Sequence, residues 1–355
     1  MKTFKTNFFK ISSKDPTYFI ADIAANHDGN LSRAKKLIRL CARAGANAAK
    51  FQHFKAKTIV SDFGFKNLKK MAHQKKWKKN VFDVYKKASI NFKWTSELAK
   101  ECKKNKIDFM TAPYDLSYVD KVNNFICAYK IGSGDITWHE IIEKIAKKNK
   151  LVMLATGASK FSEVKKAVKL ILNNNKKLVL MQCNTNYTAK FENYQYINLK
   201  VIKSYKKEFK NKIILGLSDH TFGSQTVLGA VSMGVKVVEK HFTDDNNRDG
   251  PDHKFSMNPR TWKQMVSDTR ILEASLGNGK KIIEKNEIES SVVQRRAIRA
   301  KTNLPKGTKI KKNMMEFLRP CPKNAISPFD YKKLINKKSI NNIKKGDIFT
   351  WKNIK

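Results

Sequence analysis

Two histidines end successive hydrophobic segments of this sequence, and their side chains could hold one divalent metal ion. His220 ends GLSDH at residues 216–220, and His241 ends VEKH at residues 238–241. Imidazole and oxygen ligands suit Mn²⁺ or Zn²⁺, whereas Mg²⁺ prefers oxygen alone. Asp219 and Glu239 stand beside the two histidines and strengthen this interpretation. A structural role for each ring is the alternative that the spacing leaves open.

Two lysines occur where a buried cation would need an anionic partner. Lys50 lies in AAKFQ at residues 48–52, and Lys130 lies in YKI at residues 129–131. If Phe51 packs against an outer layer of helices, strand alternation points Lys50 and Gln52 to the opposite face. A buried ammonium without a partner is unfavourable by several kcal/mol. Each lysine therefore requires either a bound phosphate or carboxylate or an internal ion pair.

Hydroxyl side chains and glycines follow four consecutive hydrophobic segments, where they could complete an anion site. Backbone amides beside glycines can approach an anion closely, although a glycine after a strand also marks an ordinary turn. Asp22, near the end of the first segment, could transfer a proton or be a solvated carboxylate. The residues after the four segments are Ser133 with Gly134, Thr156 with Gly157, Thr185, and Ser218.

These side chains need a scaffold that brings the ends of strands together, and the hydrophobic pattern predicts one. Strands that alternate with helices indicate a parallel sheet, and eight such units indicate an α/β fold closed into a (β/α)8 TIM barrel. Functional residues of such barrels gather at the carboxyl ends of the strands. The long connection at residues 53–107, which contains Trp77, is expected to hold additional helices. The predicted strands are residues 18–24, 47–52, 108–112, 128–131, 151–155, 178–183, 213–217 and 236–240, and the predicted helices are residues 31–44, 141–148, 162–172, 196–209, 224–234 and 260–276.

The chain of 355 residues is longer than one barrel requires, so a second domain is expected. We predict a barrel domain over residues 1–278 and a charged linker over residues 279–291. Residues 292–355 form short segments with turn signals PKG at 305–307 and KGD at 345–347, which predict a small β-rich module. A module of this size rarely has enough core to be stable alone, so docking onto a barrel is expected.

The formal charge of +43 is the strongest compositional feature, but 63 lysines against 10 arginines argue against a dedicated nucleic-acid reader. Specific readers of bases and phosphates rely on the arginine fork. A solvated lysine coat is favoured over a polyanion site, which remains the alternative. The 5 scattered cysteines suit reduced thiols. Because neither a signal peptide nor a membrane-spanning segment is recognised, we expect a cytoplasmic protein with no membrane and no specific nucleic-acid partner.

The sequence resembles the N-acetylneuraminate (sialic acid) synthase family, which includes legionaminate and pseudaminate synthases. The resemblance extends from about residue 19 to the C-terminus, and its most specific motifs are the two that contain the histidines. The tail resembles the antifreeze-like (SAF) domain of the same family. The motifs are IADIAANHDG at 20–29, KFQ at 50–52, YKIGSGD at 129–135, GLSDHT at 216–221, KHFT at 240–243, GPDH at 250–253 and FLRP at 317–320.

The resemblance implies condensation of phosphoenolpyruvate with an N-acetylated hexosamine, giving a nine-carbon 2-keto sugar acid and phosphate. It further implies Mn²⁺ or another divalent metal on His220 and His241, and a domain-swapped homodimer whose Arg319 enters the partner subunit's site. The residues it assigns to catalysis are Asp22, Lys50, Lys130, His220 and His241. Those assigned to phosphoenolpyruvate are Lys50, Thr111, Lys130, Ser133, Thr156, Thr185 and Ser218, and those assigned to the sugar are Gln52, Tyr187, Glu239, Asp252 and Arg319.

Several positions depart from the family pattern. Asp22 stands where the family usually has Glu, and Ala112 and Ala155 replace the usual Thr and Ser. We expect the neighbouring Thr111 and Thr156 to supply the missing hydroxyls. These departures affect the identity of the sugar more than the phosphoenolpyruvate chemistry. They leave a legionaminate- or pseudaminate-type synthase acting on a deoxy-diacetamido sugar as one alternative, and a non-catalytic carbohydrate-binding protein as another.

Overall fold

The computed structural model describes residues 2–68, 79–188 and 190–355. Trp77, in the connection predicted to hold additional helices, lies outside the described residues. The chain divides into two compact units, of which the first ends at Gly277 and the second is Asn278–Lys355. No helix of the described part is long and apolar enough to cross a membrane.

The first unit contains a closed barrel of eight parallel strands, which confirms the predicted (β/α)8 fold. Consecutive strands are neighbours throughout, and the last strand pairs with the first in the register Glu239 to Ile20 and His241 to Asp22. The barrel strands are β3 (Tyr18–Asp22), β4 (Ala48–His53), β5 (Asp108–Pro113), β6 (Ala128–Ile131), β7 (Leu151–Ala155), β8 (Leu178–Cys183), β9 (Ile214–Asp219) and β10 (Val237–His241).

Alternate residues of each strand face different layers. One buried cluster joins outward-facing strand residues to the helices, and a second fills the barrel interior with side chains such as Met110, Met153 and Met181. The barrel helices are α1 (Leu31–Arg43), α2 (Ala56–Ile59), α3 (Asp62–Asn67), α4 (Val81–Ala88), α5 (Thr95–Lys104), α6 (Leu116–Val122), α7 (His139–Ala146), α8 (Phe161–Asn174), α9 (Val201–Phe209), α10 (Gln225–Ser232) and α11 (Pro259–Ser275).

An antiparallel hairpin that the sequence pattern did not predict precedes the barrel. Its strands are β1 (Thr3–Lys5) and β2 (Lys10–Ser12). Phe4 and Ile11 belong to the cluster in the barrel interior, together with Tyr18 at the start of β3. The hairpin therefore covers the amino-terminal end of the barrel. Strands of three residues are too short to show a clear alternation.

The second unit has its own core around Ile298, Leu334 and Phe349. Its strands β11 (Ala297–Ala300) and β12 (Met315–Leu318) pair antiparallel. Its helices are α12 (Ile288–Val293), which begins within the predicted linker, and α13 (Tyr331–Leu334). Gly307 and Gly346, in the two predicted turns, have φ of 86° and 89°, a conformation that favours glycine.

Candidate active site

A cavity of about 420 Å³ opens at the carboxyl ends of the barrel strands. Inward-facing positions of β3, β4, β6 and β10 supply its charged floor, and β9 adds the hydroxyl of Ser218. The predicted site residues that line it are Asp22, Lys50, Gln52, Lys130, Ser133, Thr185, Tyr187, Ser218, His220, Glu239, His241 and Asp252. Arg319 belongs to the second unit, where it is exposed.

Thr111 and Thr156 are not brought into the cavity. Thr111 Oγ1 donates to Phe51 O over 3.0 Å and contacts His53 Nδ1 at 2.7 Å. Thr156 Oγ1 donates to Met181 O over 2.9 Å. Successive strand residues point to opposite faces, so a residue next to an inward-facing alanine must face the helices. The expectation that these two threonines supply hydroxyls to the site does not agree with this geometry.

The two lysines form an internal ion-pair network with two carboxylates. Lys50 Nζ lies 2.7 Å from Asp22 Oδ2 and 3.5 Å from Glu239 Oε1. Lys130 Nζ donates to Glu239 Oε1 over 2.8 Å, and Ser218 Oγ donates to the same oxygen over 3.2 Å. The internal ion pair that the sequence left open is therefore present. All four charged groups are buried, yet they border a cavity that can admit a ligand.

The network leaves one carboxylate oxygen unused. Glu239 Oε2 is buried and has no hydrogen-bond partner among the described residues. Burial alone would raise the pKa of Glu239, but the charges of Lys130 and Lys50 hold that pKa at about 2. Burial raises the pKa of Asp22 against the opposing charge of Lys50. A charged oxygen without a partner at a cavity wall is expected to meet a ligand group.

The two histidines lie side by side as neutral imidazoles. Their ring centroids are 5.3 Å apart. Burial, and then the proximity of the second titratable ring of His241, lower the pKa of His220 to about 3, and burial lowers the pKa of His241 to about 4. His220 Nδ1 is 2.8 Å from Asn184 O. Because a carbonyl can only accept, Nδ1 carries the hydrogen and Nε2 keeps its lone pair.

These imidazoles fit a divalent metal held by two protein ligands. His241 Nδ1 is buried without a hydrogen-bond partner among the described residues. Its nearest carboxylate oxygen is Asp252 Oδ2 at 3.9 Å, while His241 Nε2 lies 3.6 Å from Asp22 Oδ2. In the described part of the chain, no group of three or more His, Cys, Asp or Glu side chains is arranged around a metal position. An ion here would take its other ligands from water or substrate.

Asp219, which the sequence placed beside the histidines, faces the helices instead. It pairs with the buried Lys240 and accepts hydrogen bonds from Thr221 and Thr226 over 2.9 and 2.7 Å. Asp219 and Lys240 occupy the outward positions next to Ser218 and Glu239, so alternation separates the structural pair from the cavity. This pair anchors β9 to β10.

Asp252 is held at the cavity by the loop after β10. Its Oδ2 accepts from Ala25 N over 3.2 Å. The next residue, His253, is buried, with Nδ1 2.7 Å from Thr243 Oγ1 and Nε2 3.0 Å from Asp28 Oδ1. These contacts fix the segment that contains the motif GPDH at residues 250–253.

Several cavity residues were missed by sequence reasoning. Asp135 lines the cavity, and burial raises its pKa to about 6. It follows Ser133 by two positions, and a carboxylate so close to predicted anion donors was the available signal. The aromatic residues Phe54, Tyr85 and Tyr114 also line the cavity. Phe54 and Tyr85 reach the cavity through tertiary packing of the long connection, for which the sequence pattern gave no placement, and Tyr114 directly follows β5.

The fold and the cavity define an α/β barrel enzyme with a C-terminal SAF domain. Residues 37–281 match the NeuB family, and residues 295–355 match the SAF domain. The chain belongs to the NeuB family.

Relatives with assigned activities cover nearly the whole chain. An N,N'-diacetyllegionaminic acid synthase from Campylobacter jejuni is 35% identical over 94% of this chain and 98% of its own length. A pseudaminic acid synthase from the same species is 30% identical over 93% of this chain and 94% of its own. The crystal structure of an N-acetylneuraminic acid (sialic acid) synthetase from Leptospira borgpetersenii, in complex with citrate, has a TM-score of 0.72 at 26% identity and covers 81% of this chain and 95% of that one. The resemblance inferred from the motifs is confirmed.

Proposed function

We propose that this protein condenses phosphoenolpyruvate with an N-acetylated hexosamine, N-acetylmannosamine or a close analogue, to give a nine-carbon 2-keto sugar acid and phosphate. The observation that carries the proposal is the convergence of Lys50, Lys130, His220 and His241 on one cavity. The names of the relatives, which are synthases of such acids, agree with it. A cytoplasmic location is part of the proposal and is compatible with five free cysteines.

The lysine side of the cavity is suited to phosphoenolpyruvate. An ammonium has three N–H donors, and the carboxylate partners of Lys50 and Lys130 do not use them all. Ser133, Thr185 and Ser218 line the same cavity and add hydroxyl donors. Charge-assisted hydrogen bonds to phosphate and carboxylate are roughly twice as strong as neutral ones.

The histidine side is suited to the acceptor aldehyde. His220 and His241 would hold Mn²⁺ or another divalent ion, which supplies Lewis-acid polarisation of a carbonyl when bound. Tyr187 and Asp252 lie beside the two histidines, Gln52 lines the same cavity, and all three would orient the sugar. Orientation of two reactants in one cavity accounts for much of the rate gain in such reactions.

The condensation forms one carbon–carbon bond and breaks one carbon–oxygen bond. C3 of phosphoenolpyruvate attacks the aldehyde carbon, and the aldehyde oxygen takes up a proton to become a hydroxyl. Water adds to C2 and loses a proton, and the tetrahedral intermediate releases phosphate as the 2-keto group forms. Asp22 lies 2.7 Å from Lys50 Nζ and 3.6 Å from His241 Nε2. That position, between the donor and acceptor sides, suits it to move a proton.

The direct test measures phosphate release from phosphoenolpyruvate with and without an acceptor. We expect release that requires both an N-acetylated hexosamine and Mn²⁺, and its loss in a Lys130→Met variant. A lysine on an exposed helix face, Lys166, provides a charge-matched control in Lys166→Met, which should retain the activity. Absence of release with every N-acetylated hexosamine would contradict the proposal.

The proposal includes a domain-swapped homodimer in which Arg319 of one protomer enters the cavity of its partner. Arg319 is exposed in the second unit and lies in the motif FLRP. We expect Arg319→Ala to weaken use of the sugar, and a mixture with the Lys130→Met variant to recover part of the activity. In a swapped heterodimer, one cavity combines an intact barrel with an intact Arg319. No recovery in confirmed heterodimers would contradict the swap.

A further inference from the structure

One part of the cavity wall is apolar and has no role in the proposed bond-forming steps. Phe54, Ile59, Val84 and Ala88 line the cavity there. Ile59 ends α2, while Val84 and Ala88 lie one helical turn apart on α4 and so share a face. We call these four residues the α4 wall.

Packing contacts hold the α4 wall in place. The Phe54 ring lies 5.6 Å from the Tyr85 ring and 6.1 Å from the Tyr114 ring, measured between centroids. At the start of α4, the side chain of Asn80 accepts from Asp83 N over 2.8 Å and caps the helix. A preorganised surface discriminates between ligand groups without the cost of rearrangement.

The α4 wall adjoins the residues that would receive the acceptor. Tyr85 follows Val84 on α4 and lines the same cavity as Asp252. Asp252 Oδ2 lies 3.9 Å from His241 Nδ1. Because Asp252 and the α4 wall line one cavity, an acceptor with its aldehyde at the two histidines and its chain passing Asp252 would have the α4 wall available to its distal carbons.

The structure assigns the α4 wall the role of selecting an acceptor with methyl groups at its distal carbons, a deoxy-diacetamido hexose, over N-acetylmannosamine. This inference rests on the proposed condensation. A methyl group gains by contact with apolar side chains, whereas a hydroxyl buried without a partner loses its hydrogen bonds to water. Apolar pockets discriminate single groups by roughly 10- to 200-fold. We therefore expect a preference of at least about tenfold in kcat/KM.

The test compares the two acceptors in the full-length protein with phosphoenolpyruvate and Mn²⁺, using phosphate release to obtain kcat/KM. The acceptors are a diacetamido-trideoxymannose and N-acetylmannosamine. Val84→Thr replaces a methyl by a hydroxyl with little change of shape. The ratio of kcat/KM for the diacetamido sugar to kcat/KM for N-acetylmannosamine should therefore fall several-fold. Val81→Thr makes the same change one turn earlier on the same helix, at a position that does not line the cavity, and should keep the wild-type ratio of the two kcat/KM values. Ile59→Thr provides a second wall variant should Val84→Thr unfold.

The outcomes separate this inference from the condensation on which it rests. Equal use of the two acceptors, or a preference for N-acetylmannosamine, would overturn the role of the α4 wall and leave the condensation standing. A wild-type ratio of the two kcat/KM values in both wall variants, Val84→Thr and Ile59→Thr, if both are folded, would likewise overturn the role of the α4 wall. Absence of phosphate release with both acceptors would contradict the condensation itself.

Discussion

At the scale of single residues, burial keeps the two histidines of the cavity in the form that the proposed metal site requires. Water stabilises a charged imidazolium, so removing His220 and His241 from water keeps both rings neutral, with pKa values of about 3 and 4. A neutral ring offers a lone pair, and the contact of His220 Nδ1 with Asn184 O determines which nitrogen offers it. The same burial also avoids placing two further cations beside Lys50 and Lys130.

Replacing His241 with Ala should remove one of the two protein ligands. Loss of a group that merely orients a ligand costs roughly 10- to 100-fold in metal affinity, so loss of the ligand itself should cost at least as much. Titration of the apo-protein with Mn²⁺ measures this directly. The exposed His139, changed to Ala, is the matched control and should bind Mn²⁺ as the wild type does. Wild-type affinity in His241→Ala would remove His241 from the metal site.

At the scale of elements, the two-residue period of the strands decides which side chains reach the cavity. Lys130 and Glu239 are inward positions, whereas Thr111, Thr156 and Asp219 are outward ones. Each outward residue uses its side chain to join strands or helices, as Thr156 does with Met181 O at 2.9 Å. Of two adjacent residues on a strand, one therefore faces the cavity and can bind a ligand, while the other faces the helices and has a structural role.

Thr156→Val should test this separation. The substitution removes the hydroxyl while keeping the shape, so we expect a loss of stability of about 1 kcal/mol from the missing hydrogen bonds. The KM for phosphoenolpyruvate should remain at the wild-type value. Ser133→Ala, which removes a hydroxyl that lines the cavity, should raise that KM. A raised KM in Thr156→Val, comparable with that of Ser133→Ala, would return Thr156 to the substrate site.

Strand positions could be predicted from the sequence because buried parallel strands form short apolar runs between helices. Residues 128–131, 151–155 and 178–183 were predicted with the bounds that the structure has. It was harder to predict which face of a strand each side chain occupies, because neighbouring residues of a strand lie on opposite faces. Thr111 and Thr156 were assigned to the wrong face for that reason. The α4 wall could not be placed, because only tertiary packing brings that segment to the cavity, whereas Asp135 was missed although it lies two residues after Ser133.

At the scale of the whole molecule, buried histidines link stability to pH. Burial lowers the pKa of His27 and of His53 to about 4. Both nitrogens of His53 contact threonine hydroxyls, Thr111 and Thr95, at 2.7 and 2.8 Å. Below the usual histidine pKa of about 6.5, the unfolded chain takes up protons that the folded chain does not. Stability should therefore fall as the pH decreases from about 6.5 to about 4.

Replacing His53 with Gln should reduce this dependence on pH. One histidine contributes up to about 1.4 kcal/mol per pH unit within that interval, and glutamine does not titrate. Urea unfolding at a series of pH values, with a chelator present, measures the slope. The exposed His139→Gln variant should keep the wild-type slope. An unchanged slope in a folded His53→Gln variant would show that His53 is not held neutral.

The net charge of +43 acts on the molecule as a whole rather than at the cavity. Exposed lysines attract any anion over a range that salt shortens to about 8 Å at physiological ionic strength. Phosphoenolpyruvate is such an anion, so the rate of substrate capture should decline with added salt. A polyanion-binding role would share that salt dependence but would not need Lys130 or His241, which are buried around the cavity.

The most direct measurement identifies the product of the purified protein supplied with phosphoenolpyruvate, an N-acetylated hexosamine and Mn²⁺. Mass spectrometry should detect a nine-carbon 2-keto sugar acid, formed in equal amount to the phosphate released. Phosphate accompanied by pyruvate and unchanged sugar, or no reaction with any acceptor of this class, would contradict it.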